Sequence, residues 1–267
     1  MDRKKLKWLK GLVLSYFLTG IALYFSQTFF LFHPQKLAAD YTFHFNTPFE
    51  EVKLSFTKGD TIDMVKFFPM DSVSKGVVIY LHGNMQNINR YAKYTANFTN
   101  NGYEVWMSDY PGFGKSTGRN DEAGLYAVVE SVYQEAIKKY PAGSIIIYGK
   151  SFGTGLAAYI ASAYPCKKLI LETPYYSIPD LFFSWAPIYP ASLLCNYKIP
   201  VNAYLKKVKA PITIFHGDCD GVIFYKNAVK LKTALKNTDE FITIPDGTHN
   251  NLNDFELFHH KLDSLLR

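Results

Sequence analysis

Ser151 lies in Gly149-Lys150-Ser151-Phe152-Gly153, a pentapeptide with a glycine two residues before and two residues after a hydroxyl. That spacing suits nucleophilic chemistry in one setting: a strand runs into a sharp turn that exposes the serine, a helix follows at once, and the glycines sit where side chains would collide. The flanking residues supply that setting. Residues 145–148, IIIY, read as a buried strand, and residues 152–163, FGTGLAAYIASA, read as a helix. The bland alternative is a glycine-rich turn carrying a solvated serine. Phosphate-loop readings fail on spacing. Gly-Lys-Ser occurs at 114–116 and at 149–151, but a P-loop needs another glycine five residues earlier, where this chain has Asp109 and Ser144. Gly112, Gly114 and Gly118 likewise miss the dinucleotide-binding pattern and read as a turn.

A serine hydroxyl is a weak nucleophile until a histidine takes its proton and a carboxylate orients that histidine. After a serine on a turn of this type, the acid and then the histidine follow in chain order. Of seven histidines, His33 and His44 precede the core, His82 and His216 close strands before glycines, and His259 and His260 fall on a predicted last helix. His249 alone sits in a loop after a late strand, which makes it the candidate base; a loop-capping histidine is the alternative. The acid should follow the preceding strand, which runs into Gly217-Asp218-Cys219-Asp220-Gly221. Spacing leaves both Asp220, deeper in the turn, and Asp218 open, with Asp246 a third candidate that reads as a turn residue. A tetrahedral oxyanion also needs aimed N–H donors. Phe152, next to the nucleophile, is one candidate donor. The other should come from Leu81-His82-Gly83-Asn84-Met85, with Asn84 the first choice and Met85 the next; a plain strand-ending turn is the alternative here.

These residues need a scaffold, and the chain from residue 33 onward alternates β-rich and helical runs as a mainly parallel, doubly covered sheet does. Strands are predicted at 51–56, 63–68, 77–81, 105–110, 145–148, 169–172, 212–216 and 240–244, the first two as an antiparallel pair around Lys58-Gly59-Asp60. Runs such as VVIYL and KLILE are nearly continuous apolar stretches, as strands buried on both faces should be. Helices are predicted at 88–100, 122–140, 152–163, 225–236 and 255–266. Residues 174–200 break the alternation with five prolines and many aromatics. No internal repeat or low-complexity tract is present.

The N-terminus has a different character. Residues 11–32 carry no charge over 22 positions, and as a helix rising about 1.5 Å per residue they would cross a hydrocarbon core of about 30 Å. Arg3, Lys4, Lys5, Lys7 and Lys10 precede this stretch, so the positive-inside bias places residues 1–10 in the cytoplasm and residues 33–267 on the far side, the periplasm if the cell is a Gram-negative bacterium. A cleaved signal peptide is the competing reading, but the apolar stretch is long and ends in bulky rather than small residues. The net charge of +6 resides mostly in this leader, and residues 11–267 carry only +2. No clustered basic stripe remains to bind a phosphate backbone, which argues against a nucleic-acid partner. Three cysteines, Cys166, Cys195 and Cys219, are too few and too scattered for a disulfide framework or a metal site.

Taken in order, LHGN, DYPGFGKSTG, GKSFG, HGDCD and GTHNN resemble the motifs of α/β-hydrolase serine esterases and thioesterases, most closely their single-span, membrane-anchored branch, over about residues 33–267. The resemblance implies an α/β-hydrolase fold: a mostly parallel eight-stranded sheet with helices on both faces and a short cap, here preceded by one transmembrane helix. It assigns the acid role to Asp220 through HGxxD and aligns His249 with the family's terminal-loop histidine, so that Ser151, Asp220 and His249 form the expected triad. Two departures are local: Pro111 stands where relatives often have Arg, and GTH replaces the common GH pairing. The 174–200 insertion takes the place of the family's cap, whose Tyr175, Tyr176, Phe182, Phe183 and Trp185, with Met85, are candidates to line an acyl pocket; packing the cap onto the sheet is the competing role. The implied reaction is hydrolysis of an ester or thioester of an apolar, lipid-like acyl group, with no metal or organic cofactor. A peptidase or amidase on the same triad and a non-catalytic binding module are the alternatives.

Overall fold

The computed structural model describes residues 2–56, 59–70 and 73–267. Eight strands form one sheet: β1 (Phe49–Phe56), β2 (Asp60–Phe67), β3 (Val77–Leu81), β4 (Glu104–Ser108), β5 (Ile145–Lys150), β6 (Lys168–Glu172), β7 (Ile212–Gly217) and β8 (Glu240–Ile244). Their spatial order is β8-β7-β6-β5-β3-β4-β2-β1. Strands β3 to β8 pair in parallel, and β2 pairs antiparallel with both β1 and β4. Each predicted strand has its counterpart within a few residues. Lys58 of the predicted turn between β1 and β2 lies outside the described residues.

Strand β3 shows why unbroken apolar runs sit at the centre. Side chains alternate across a strand, so Val77, Ile79 and Leu81 enter one apolar core while Val78 and Tyr80 enter the other. The first core is closed by helix α2 (Glu122–Lys139), through Leu125, Val129 and Val132, and by helix α3 (Gly153–Ala163), through Leu156 and Ile160. The second is closed by the C-terminal helix Glu256–Leu266, through Phe258, Leu262 and Leu266. Helix α2 starts at Asp121, whose carboxylate accepts the Gly124 N–H at 2.8 Å, an N-cap of the preferred residue type.

Two predicted helices are shorter than expected. Residues 88–100 form an α-turn, Ile88–Tyr91, a 3-10 turn and a second α-turn, Ala96–Thr99. The buried Asp109 carboxylate takes the Ile88 N–H at 3.0 Å, so the segment starts from a side chain beneath it. In 225–236 only Tyr225–Val229 is α-helical, followed by a 3-10 stretch, Lys230–Ala234. The aromatic and proline-rich 174–200 insertion folds into two helices, Ile178–Trp185 and Ala191–Leu194, over the end of the sheet.

The N-terminal helix, α1 (Arg3–Leu31), covers the uncharged segment and is long and apolar enough to cross a membrane. Its end is tied into the domain. His33–Pro34 pairs in parallel with Met85–Gln86, and Phe32 is buried edge-on against Phe152, Phe113 and Tyr197.

Candidate active site

Strand β5 delivers its last residue to a tight turn, and α3 begins two residues after Ser151. Ser151 has φ +52°, a left-handed backbone that costs a non-glycine residue about 1–3 kcal/mol and persists only where the surroundings impose it. Those surroundings are the two motif glycines. A Cβ on Gly153 would lie 2.1 Å from the Leu81 carbonyl oxygen, and one on Gly149 would lie 2.7 Å from Thr154 Cα. The start of α3 therefore rests directly on the end of β3. The Ser151 N–H donates to the Glu172 carbonyl at 2.8 Å, which fixes the turn from β6.

The loops after β7 and β8 bring the other two groups to this turn. His249 Nε2 is 2.8 Å from Ser151 Oγ, and His249 Nδ1 is 2.8 Å from Asp220 Oδ2. The remaining Asp220 oxygen accepts the N–H groups of Val222 and Ile223, each at 2.8 Å. Burial alone would raise the Asp220 pKa, but hydrogen bonding to His249, that histidine's charge and the Ile223 N–H together hold the carboxyl below its ordinary value. Asp218 and Asp246 lie elsewhere. Asp218 is exposed and accepts the Asp246 N–H at 2.8 Å, while Asp246 occupies a left-handed turn position with φ +58°. His216 is fully buried and contacts the Ile223 carbonyl oxygen at 2.9 Å through Nε2.

The two predicted oxyanion donors come from opposite sides. Phe152 immediately precedes the first turn of α3, where backbone N–H groups have no carbonyl within the helix to accept them. Asn84 sits in the loop after β3, and its side-chain amide donates to the Leu31 carbonyl at 2.6 Å while its own carbonyl accepts the His33 N–H at 2.9 Å. Gly83 makes this loop possible, since a Cβ there would lie 2.7 Å from the Tyr91 hydroxyl.

A cavity of about 190 Å³ opens beside Ser151. Asn84, Met85, Tyr91, Tyr94 and Lys150 line it, with the exposed cations Arg90 and Lys93 on its wall. This corrects the predicted acyl pocket, of which only Met85 lines the cavity. Tyr175 is buried in the core with its hydroxyl donating to the Phe152 carbonyl at 3.3 Å, in space left by Gly155. Tyr176 and Phe182 pack against the same core, Trp185 stacks tilted on Phe224, and Phe183 faces outward. The cap aromatics pack the insertion or face solvent. Sequence reading missed Lys150, whose ammonium pairs with Glu172 beneath the turn and lies 5.2 Å from the Tyr94 ring centroid. The available signal was the Glu that ends the KLILE strand after its apolar interior, Leu169–Leu171.

The chain is similar to several known proteins. Residues 72–198 match the profile described as serine aminopeptidase, S33. Alpha/beta hydrolase domain-containing protein 17C of Xenopus tropicalis is 27% identical over 200 residues, covering 72% of this chain and 61% of that protein. The corresponding human protein is 26% identical over 200 residues, covering 72% of this chain and 57% of that one. This chain thus spans about three fifths of the length of the curated relatives it matches. Among solved structures, a Pyrococcus furiosus esterase superposes with TM-score 0.69 at 16% identity over 88% of this chain and 97% of its own. The chain has the α/β-hydrolase fold. A thioesterase domain from the curacin biosynthetic pathway shares the fold at TM-score 0.61 and 18% identity, over 82% of this chain and 99% of that domain.

The depressed Asp220 pKa predicts an acid limit to stability. A carboxyl held below its unfolded value contributes stability that is complete above about pH 4 and is lost as pH falls through the lower, folded value. Asp220→Asn should therefore melt below the wild type at pH 7, with the gap closing below about pH 4. Thermal melts from pH 7 down to pH 3 measure this, and a gap that stays constant throughout contradicts it.

Proposed function

We propose that this α/β-hydrolase cleaves a carboxylic ester or thioester through an acyl-Ser151 intermediate, with Asp220 and His249 completing the triad. The observation that carries this reading is the chain of two 2.8 Å contacts from Ser151 Oγ through His249 to Asp220. Asp220 holds His249 in the tautomer with a proton on Nδ1, which leaves Nε2 free to take the Ser151 proton as Oγ attacks the carbonyl carbon. The new oxyanion is received by the Phe152 N–H and by the Asn84 N–H, with the Met85 N–H as the neighbouring choice. Collapse expels the alcohol or thiol, protonated by His249. Water then enters, gives its proton to His249, and releases the acid from Ser151.

A fluorophosphonate probe tests the nucleophile. Wild-type protein should label and Ser151→Ala should not, with turnover of an activated ester falling about 10⁴-fold or more in that variant; equal labelling of both proteins rejects the assignment.

The acyl group is proposed to be apolar and of moderate length, with the carbonyl at Ser151 and the chain directed along Met85, Tyr91 and Tyr94, which border the cavity. Among nitrophenyl esters, kcat/KM should rise from acetate to octanoate, whereas a preference for acetate contradicts the proposed apolar acyl chain. The aminopeptidase description of the matched profile supports one rival, amide cleavage, and faster turnover of aminoacyl anilides than of any ester would favour it.

Helix α1 is proposed as the membrane anchor, with the basic leader in the cytoplasm and the catalytic domain on the opposite side. Protease added to intact cells or spheroplasts should digest the C-terminal domain, and full protection reverses the orientation.

A further inference from the structure

The contacts of α1 extend well beyond its end. Tyr16 stacks on Tyr189 at 4.7 Å, and its hydroxyl donates to the Ile188 carbonyl at 2.9 Å. About three turns of helix later in sequence, Gln27 donates from its side-chain amide to the Leu194 carbonyl at 2.7 Å and accepts the Asn196 N–H at 2.6 Å. Between them, Gly20 lets the helix pass the Tyr189 ring, which would lie 3.3 Å from an added Cβ. By the rise of a helix, Tyr16 stands about 24 Å and Gln27 about 8 Å before Phe32. Both lie inside the 22-residue uncharged stretch. If that stretch crosses a hydrocarbon core of about 30 Å, whatever is bonded to it at those depths enters the core as well.

The partner segment has the composition for that environment. From Leu181 to Tyr197 the sequence LFFSWAPIYPASLLCNY has no charged residue, between Asp180 and Lys198. Several of its apolar side chains point outward, Ile188 being 71% and Leu193 78% exposed, beside Phe183 and Trp185. This surface continues into that of α1 across an apolar groove of about 250 Å³ lined by Gly20, Tyr24, Tyr189, Pro190 and Leu194 among others. Irregular backbone is tolerated at membrane depth only where its polar groups find partners within the protein. Here Tyr16 and Gln27 serve Ile188, Leu194 and Asn196, and the Lys198 ammonium serves the carbonyls of Ser192 and Cys195, each at 2.6 Å.

We propose that residues 181–197 form a second membrane-embedded element, inserted into the bilayer beside α1 and covered by lipid acyl chains rather than by a protein partner. The inference rests on the reading of α1 as a membrane helix. It turns the cap from a lid over a soluble site into a re-entrant wedge, with Gln27 as the polar side chain that holds it to the anchor.

Tryptophan quenching by phosphatidylcholine brominated in mid-chain tests it on the full chain in vesicles. Reporters at Ile188→Trp or Leu193→Trp, and separately at Phe25→Trp on α1, are added to a Trp8→Phe/Trp185→Phe chain that keeps the core Trp106 as an internal standard. Each reporter's signal is the difference from that parent chain. Emission from both cap reporters and from the α1 reporter should fall at least twofold, while that of Trp106 should not change. Quenching of Phe25→Trp without quenching of either cap reporter overturns the proposal and leaves the anchor in place. Absence of quenching at all three positions overturns the anchor reading and the proposal with it.

Discussion

The left-handed backbone at Ser151 is the constraint on which the site depends. A residue with a side chain does not rest there by preference, so the turn must be held from outside, and three strands hold it. β3 meets the start of α3 at Gly153, β5 leads in through Gly149, and β6 takes the Ser151 N–H on its Glu172 carbonyl. Because β3, β5 and β6 are neighbours in the sheet, any change in their register would release the turn. The apolar cores on both faces thus act on chemistry indirectly, by keeping three strand ends level.

Charge around the turn is arranged with similar economy. The buried Lys150 ammonium would be costly alone, but it pairs with Glu172, whose carboxylate also accepts the Tyr148 hydroxyl. Glu172 therefore joins two duties in one residue, its backbone carbonyl holding Ser151 and its side chain neutralising Lys150. On the other side, Asp220 is saturated by two backbone N–H groups and His249. A carboxylate so bonded orients an imidazole without competing for its proton.

Much of the fold is legible in the sequence, because strands buried on both faces are nearly continuously apolar and because the glycine-flanked serine stands between such a strand and a helical run. Asp220 was not separable from Asp218 by spacing alone. Their difference is that the turn after β7 points one carboxylate at the His249 loop and the other at the Asp246 amide, a matter of backbone direction and not of residue type. The cap aromatics failed for a related reason. An aromatic ring that lines a pocket and one that packs a core have the same composition, and Tyr175 was assigned to the core by the absence of a side chain at Gly155. The Ile88–Tyr91 segment shows tertiary contacts overriding periodicity: a carboxylate just past the end of β4, Asp109, takes the first N–H of what read as a longer helix.

The junction at Leu31 and Phe32 has a further consequence. The Leu31 carbonyl holds the Asn84 side chain, and the Phe32 ring fills space against Phe152, so the last turn of the N-terminal helix and the residue after it buttress both flanks of the serine. An ordinary tether can be severed without harm to what it carries. On the proposed function this one is also a structural post of the active site, and a protease that cut after Phe32 would withdraw that ring from Phe152, Phe113 and Tyr197. On that proposal, shedding from the membrane and loss of activity would be the same event.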